Sequence, residues 1–389
     1  MRCVTNKKLV FFQNGARTDA SSSVLDGQGH VTAVHLASLR VSEIDVPAPR
    51  VRVSLKDIIR RNFVAFLVHS LFNLKHVHTG TANTAVLRTG DGIVAVEEAS
   101  KPFRLLFDDE HTRIVGGHWL FNRRPIAAHG APGMVNFTYS PFRPLPLQID
   151  GVPVDVAFRS FPFMIHSAAQ VRGDAETYVM PIMSARFGNF FKYLGGSLAM
   201  PVDETYTSEW LFVNRYSGTA TFVDTGVITN PLHVVDARKV GDTVEIYSSN
   251  IKSFQDVLEP KHPSALRPVL ELRKDVVDLT RMEIKSTRSF RDAAGDFPNP
   301  VTNRGVVLIN RLYTDRDTQE LVYFDTRRDE IVRRVHVDPD ARDVLYYRGQ
   351  LLFCTLDHFC VADARNGKTL VKVPIPHRST NFHAALLEV

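Results

Sequence analysis

The sequence predicts an all-β fold of the β-propeller kind, and three observations carry that expectation. Short apolar runs of strand length recur along the chain, each closed by Gly, Asp or Pro. One hairpin plan returns at widely separated positions. A single segment, at 56–77, departs from this pattern and holds its apolar residues at helical spacing.

The clearest pair of repeats lies near the two ends. Val86-Leu87, Gly90-Asp91-Gly92, Ile93 to Val96, Phe103 to Phe107 with Asp108, and Thr112 to Val115 follow one another in that order. Val344-Leu345, Arg348-Gly349, Leu351 to Cys354, Phe359 to Ala362 with Asp363, and Thr369 to Val373 follow the same order with similar spacing. Asp accepts backbone hydrogen bonds and Gly tolerates positive φ, so these residues close hairpins. Apolar runs ending in Asp recur at Leu232 to Asp236 and Leu321 to Asp325, followed by Val244 to Tyr247 and Ile331 to Val335. Repeated small sheets suit a propeller better than a β-sandwich, and one domain over 1–389 accommodates them.

Lys56 to Val77 places Ile58, Ile59, Phe63, Phe66, Leu67, Leu71 and Phe72 largely at helical spacing among basic residues. It reads first as a helical cap, and second as a basic amphipathic surface giving peripheral membrane contact through Lys56 to Phe72. The apolar run Leu9 to Phe12 is too short for a signal-peptide core, and no run of eighteen apolar residues exists. The expectation is a soluble, intracellular protein. The 47 basic and 42 acidic residues are interspersed, which speaks against nucleic-acid binding. Three cysteines, Cys3, Cys354 and Cys360, fit a reducing compartment, and the latter two read as buried strand residues.

Phosphate-cradling, dinucleotide and nucleophile-elbow motifs are absent from the sequence. Among fifteen histidines, those at His129, His166 and His383, and the group His69/His76/His78, adjoin apolar strand-like sequence. Distant histidines can meet on the central channel of a propeller, where imidazole suits Fe(II), Cu or Zn and carboxylates orient the rings.

Six motifs, in order, give the chain a resemblance to the carotenoid cleavage oxygenases. Gln13-Asn14-Gly15-Ala16 is similar to the family's Arg-Asn-Gly-Pro, and Asp26-Gly27-Gln28-Gly29-His30 to its Asp-Gly-Asp-Gly-Met. Ala82 to Val86, Ala95-Val96-Glu97 with Pro102-Phe103, Asp296-Phe297-Pro298, and Pro374 to His383 resemble later family segments. The resemblance implies a seven-bladed propeller with Fe(II) on its axis, acting with O2 on a double bond of an apolar polyene or stilbene-like alkene. It carries ligand roles to His129, His166 and His383, and the role of a supporting carboxylate to Asp296.

The third ligand position aligns with Leu211, before Asn214-Arg215-Tyr216-Ser217, and Leu211 cannot bind iron. His118 and His233 are histidines available to replace it. The supporting Glu-Pro-x-Phe-Val segment has no counterpart near Val335 to Asp343. Two readings follow: an Fe(II) dioxygenase with an incomplete four-His site, or a catalytically inactive propeller serving as a structural or protein-interaction subunit.

Overall fold

The computed structural model describes residues 8–16, 28–47, 82, 84–97, 100–124, 126–127, 137–139, 147–149, 151–158, 160, 162, 165–187, 202–253, 270–302, 304–311, 319–341, 343–376 and 383–389. The proposed cap at 56–77, and His129, lie outside these residues. Among the described residues the only helical element is a three-residue 3-10 turn, Arg291–Ala293. None is a helix long and apolar enough to cross a membrane.

The strands form six four-stranded antiparallel sheets, a three-stranded sheet within 137–153, and a two-stranded pair of Arg186–Phe187 with Val202–Asp203. Five of the four-stranded sheets are chain-sequential meanders, over 85–119, 169–224, 230–290, 296–337 and 345–374. The sixth takes Leu9–Ala16, Gly29–His35 and Arg40–Asp45 from one end of the chain and His383–Glu388 from the other. This pairing of first and last strands closes the ring. His383–Glu388 becomes the innermost strand of its sheet, touching the innermost strands of the sheets at 85–119 and 345–374. The same inner-strand contacts continue from Leu345–Tyr347 to Asp296–Pro300 and from there to Asn230–Val240. Radially repeated sheets closed by the chain ends are the topology of a β-propeller.

The hairpin repeats fall where the sequence places them. The sheet over 85–119 has strands Ala85–Thr89, Gly92–Glu97, Ser100–Phe107 and Ile114–Trp119. Its counterpart has Leu345–Tyr347, Gln350–Cys354, His358–Asp363 and Thr369–Pro374. Gly92 and Gly349 hold positive φ at the matching turns, as the turn chemistry requires. Asp236 differs: it lies inside the long strand Asn230–Val240, at a register shift, and binds Arg172 instead of closing a turn.

Core side chains pack on both faces of each sheet, so strand alternation is weak. Phe11 and Phe12 are both fully buried on opposite faces, one against Phe359 at 4.9 Å and the other against Phe107 at 6.0 Å. That is why Leu9 to Phe12 is an unbroken apolar run. Cys354 and Cys360 are buried in adjacent strands, each opposite the residue next to the other, so they face opposite sides. Burial, with Asp338 nearby, pushes the Cys360 thiol up to about 12. Trp210 clips neighbouring sheets together by donating its indole N–H to buried Asp275 at 2.9 Å.

Candidate metal centre

Three inner elements bring three imidazoles together. His166 precedes the short inner strand Ala169–Gln170, His233 lies near the start of Asn230–Val240, and His383 opens the last strand. All three are buried. The ring centroids of His166 and His233 stand 5.0 Å apart, those of His233 and His383 5.4 Å, and those of His166 and His383 5.9 Å. One potential ligand nitrogen from each lies within 4.8 Å of the others.

Backbone and side-chain ties hold these elements in place. Val234 donates its backbone N–H to Ser167 Oγ at 3.1 Å, locking the residues after His233 and His166 to each other. Asn14, paired in register with His383, donates from Nδ2 to the carbonyls of Ala82 and Ala85 at 2.9 Å each. The closing sheet is thereby fixed to its neighbour next to the site.

Two buried carboxyl groups stand behind the rings. His233 Nδ1 and Asp296 Oδ1 are 2.5 Å apart, which leaves Nε2 of His233 directed away from that carboxylate. Burial favours the neutral acid, but His233 and the hydrogen bonds from His233, Ser249 and the Phe297 N–H outweigh it and lower the Asp296 pKa. The second carboxyl group is Asp343, with Oδ2 3.4 Å from His383 Nδ1 and accepting the Ala384 N–H at 2.8 Å. Burial raises Asp343 to about 8, against the Ala384 hydrogen bond and with the help of nearby Asp296. His383 is held well below its ordinary pKa by burial, then by neighbouring His233 and His166, so it is neutral.

Phe297 completes one wall, its ring 5.0 Å from His383 and 5.9 Å from His233. Its φ is +51°, in the left-handed region that bulky residues rarely adopt. The register shift between Asp296 and Asn299 accompanies this conformation. Strain of this sort, of order 1–3 kcal/mol, persists where surrounding structure enforces it.

Of the sequence-derived site residues, His166, His383 and Asp296 converge here. Leu211 does not. It is fully buried in the strand Glu209–Asn214, opposite Met180 and Phe222, and packs in an apolar cluster. The motif that put a ligand there, Asn214 to Ser217, is the turn after that strand. Asn214 Oδ1 accepts the N–H groups of Tyr216 and Ser217 at 3.0 Å, and Tyr216 is exposed. The third imidazole is His233. His118 is exposed on the outermost strand of its sheet. Asp343, 3.4 Å from His383 Nδ1, is a buried carboxyl group that sequence reading missed at the end of Val335 to Asp343.

The donor set fits a divalent transition ion. Nitrogens bound to one ion at about 2.1 Å each can stand at most about 4.2 Å apart, so small side-chain adjustments close the trio around a metal. Neutral imidazoles with carboxylates on their outer nitrogens are the usual form of such sites. Among the described residues no other trio of His, Cys, Asp or Glu comes this close together.

Structural comparison places this geometry in a known architecture. The lignostilbene dioxygenase of Pseudomonas brassicacearum superposes with a TM-score of 0.70 over 100% of this chain and 94% of its own, at 14% identity. The two chains share one fold. Cobalt-substituted apocarotenoid oxygenase of Synechocystis matches with a TM-score of 0.71, covering 98% of this chain and 93% of that one at 15% identity. A chimera of the same apocarotenoid oxygenase with RPE65 matches with a TM-score of 0.70, covering 98% of this chain and 92% of that one at 15% identity. No family model matches the sequence, and no curated protein does so.

Proposed function

We propose that this propeller is a non-haem Fe(II) oxygenase that uses O2 to split a carbon–carbon double bond of an apolar polyene or aryl alkene into two carbonyl products. The observation that carries the reading is the convergence of His166, His233 and His383 in a buried site with Asp296 and Asp343 behind it. These three imidazoles hold the iron, with His129 as the further ligand implied by the sequence resemblance. When bound, the iron would activate O2, while the alkene itself supplies the electrons that reduce O2 to the two carbonyl oxygens.

The protein's own groups have separate tasks. Asp296 accepts the Nδ1 proton of His233 and fixes its tautomer, so it is a positioning residue. Asp343 orients His383, and the burial of His383 keeps that ring unprotonated and competent as a ligand. Phe297 supports an apolar environment beside the rings. The inactive-propeller reading drew on Leu211 at a ligand position and on the missing supporting segment; the presence of His233 and Asp343 beside the other two histidines supports the oxygenase reading instead.

The test is oxygen uptake by Fe(II)-reconstituted protein given an apocarotenal and, separately, a hydroxystilbene. Consumption of one O2 per two carbonyl products, lost in His233→Ala, is the expected result. Stoichiometric iron with no uptake for either substrate class would overturn the proposal and favour a non-catalytic role.

A further inference from the structure

A second polar cluster is buried in the sheet that closes the ring. His30 is 1% exposed and pairs in register with Asp45 on the neighbouring strand. Two residues along, Thr32 pairs with Glu43 on one side and Gln13 on the other. Because side chains alternate across a strand, Gln13, His30, Thr32, Glu43 and Asp45 all occupy one face. His383 projects from the opposite face and sits two strands away, roughly 10 Å at the usual spacing of about 4.8 Å.

The cluster has the parts of a metal site. His30 Nδ1 is 2.8 Å from Asp45 Oδ1, which directs Nε2 to the other side of the ring. Nε2 faces Glu43 Oε1 at 3.6 Å, longer than a good hydrogen bond. An ion about 2.1 Å from each atom would span that gap with an N–metal–O angle near 120°. Gln13 supplies the independent sign of a ligand. Its side chain is 1% exposed, and neither its amide oxygen nor its nitrogen has a hydrogen-bond partner. Leaving such a group unsatisfied is unfavourable, and a ligand in the cluster would offset that. Two carboxyl groups, Glu43 and Asp45, face the one imidazole, so the cluster favours a cation.

We propose that His30 Nε2, Glu43 and the Gln13 amide oxygen form a second site for a borderline divalent ion of the Zn2+ kind, with Asp45 orienting His30. Imidazole with carboxylate and carbonyl oxygen suits such an ion, and the Asp45–His30–metal series is a common arrangement.

The experiment measures Zn2+ retained after gel filtration. In His166→Ala/His383→Ala protein, which lacks the axial site, one equivalent is expected to remain. Adding His30→Gln removes it, and adding Asp45→Asn instead weakens it about 10–100-fold. If the axial double variant fails to fold, the comparison is intact protein against His30→Gln, with two equivalents falling to one. No zinc retained beyond the axial equivalent, or retention unchanged by both His30→Gln and Glu43→Gln, would overturn the proposal.

Discussion

Replacing Asp296 by Asn probes how the carboxylate supports the axial histidines. Asn keeps the volume and can still accept from His233 Nδ1, but it removes the charge. The contact is short at 2.5 Å, and its side chains are 3% and 7% exposed, so water cannot take over the role. Loss of such outer support typically weakens metal binding about 10–100-fold. That corresponds to about 1.4–2.7 kcal/mol. The close contact argues for the upper part of this range. Asp343→Asn is expected near the lower end, because its contact with His383 is 3.4 Å. The assay is anaerobic competition for Fe(II) against a chromophoric chelator, with near-ultraviolet circular dichroism confirming the fold. A properly folded Asp296→Asn protein with Fe(II) affinity within twofold of the parent would refute this account of the site.

Other predictions use different contacts. Leu211→Ala is expected to lower stability by about 2–5 kcal/mol in urea unfolding, as a large-to-small core change, while leaving axial iron stoichiometry intact. Trp210→Phe removes a hydrogen bond to buried Asp275 and should cost about 1.5–3 kcal/mol in the same measurement. The metal-free protein should lose stability as pH rises above 6.5 and through the raised pKa of His30. There the folded state holds a proton that the unfolded state has released, so stability falls with rising pH. Thermal melts at several pH values should show this slope, and His30→Gln should flatten it.

Much of the fold was legible because turn residues and strand-length apolar runs are local signals. Gly92 and Gly349 close matching hairpins in the two repeats identified from sequence. The closing pair of Leu9–Ala16 with His383–Glu388 joins opposite ends of the chain; the repeats pointed to a ring of small sheets, but no local signal shows which strands close it. His166 and His383 stood out beside apolar sequence. His233 was named only alongside His118, because a lone imidazole in the strand-like run Pro231 to Val235 gives no sign of which way it faces. Its partner Asp296 is 63 residues away, and only the ring brings the two together. Leu211 drew the ligand alignment because Asn214 to Ser217 imitates a motif, although its residues serve a hairpin turn. Asp343 was obscure for a similar reason: its contact with His383 crosses from one sheet to the next.

The most direct test of the central claim is Fe(II) stoichiometry in His30→Gln protein, where only the axial site contributes, compared with the same protein carrying His233→Ala. The account predicts one tightly held iron in the first and loss of tight binding in the second. Equal tight iron binding in both would show that His233 is not a ligand and would contradict the assigned metal centre.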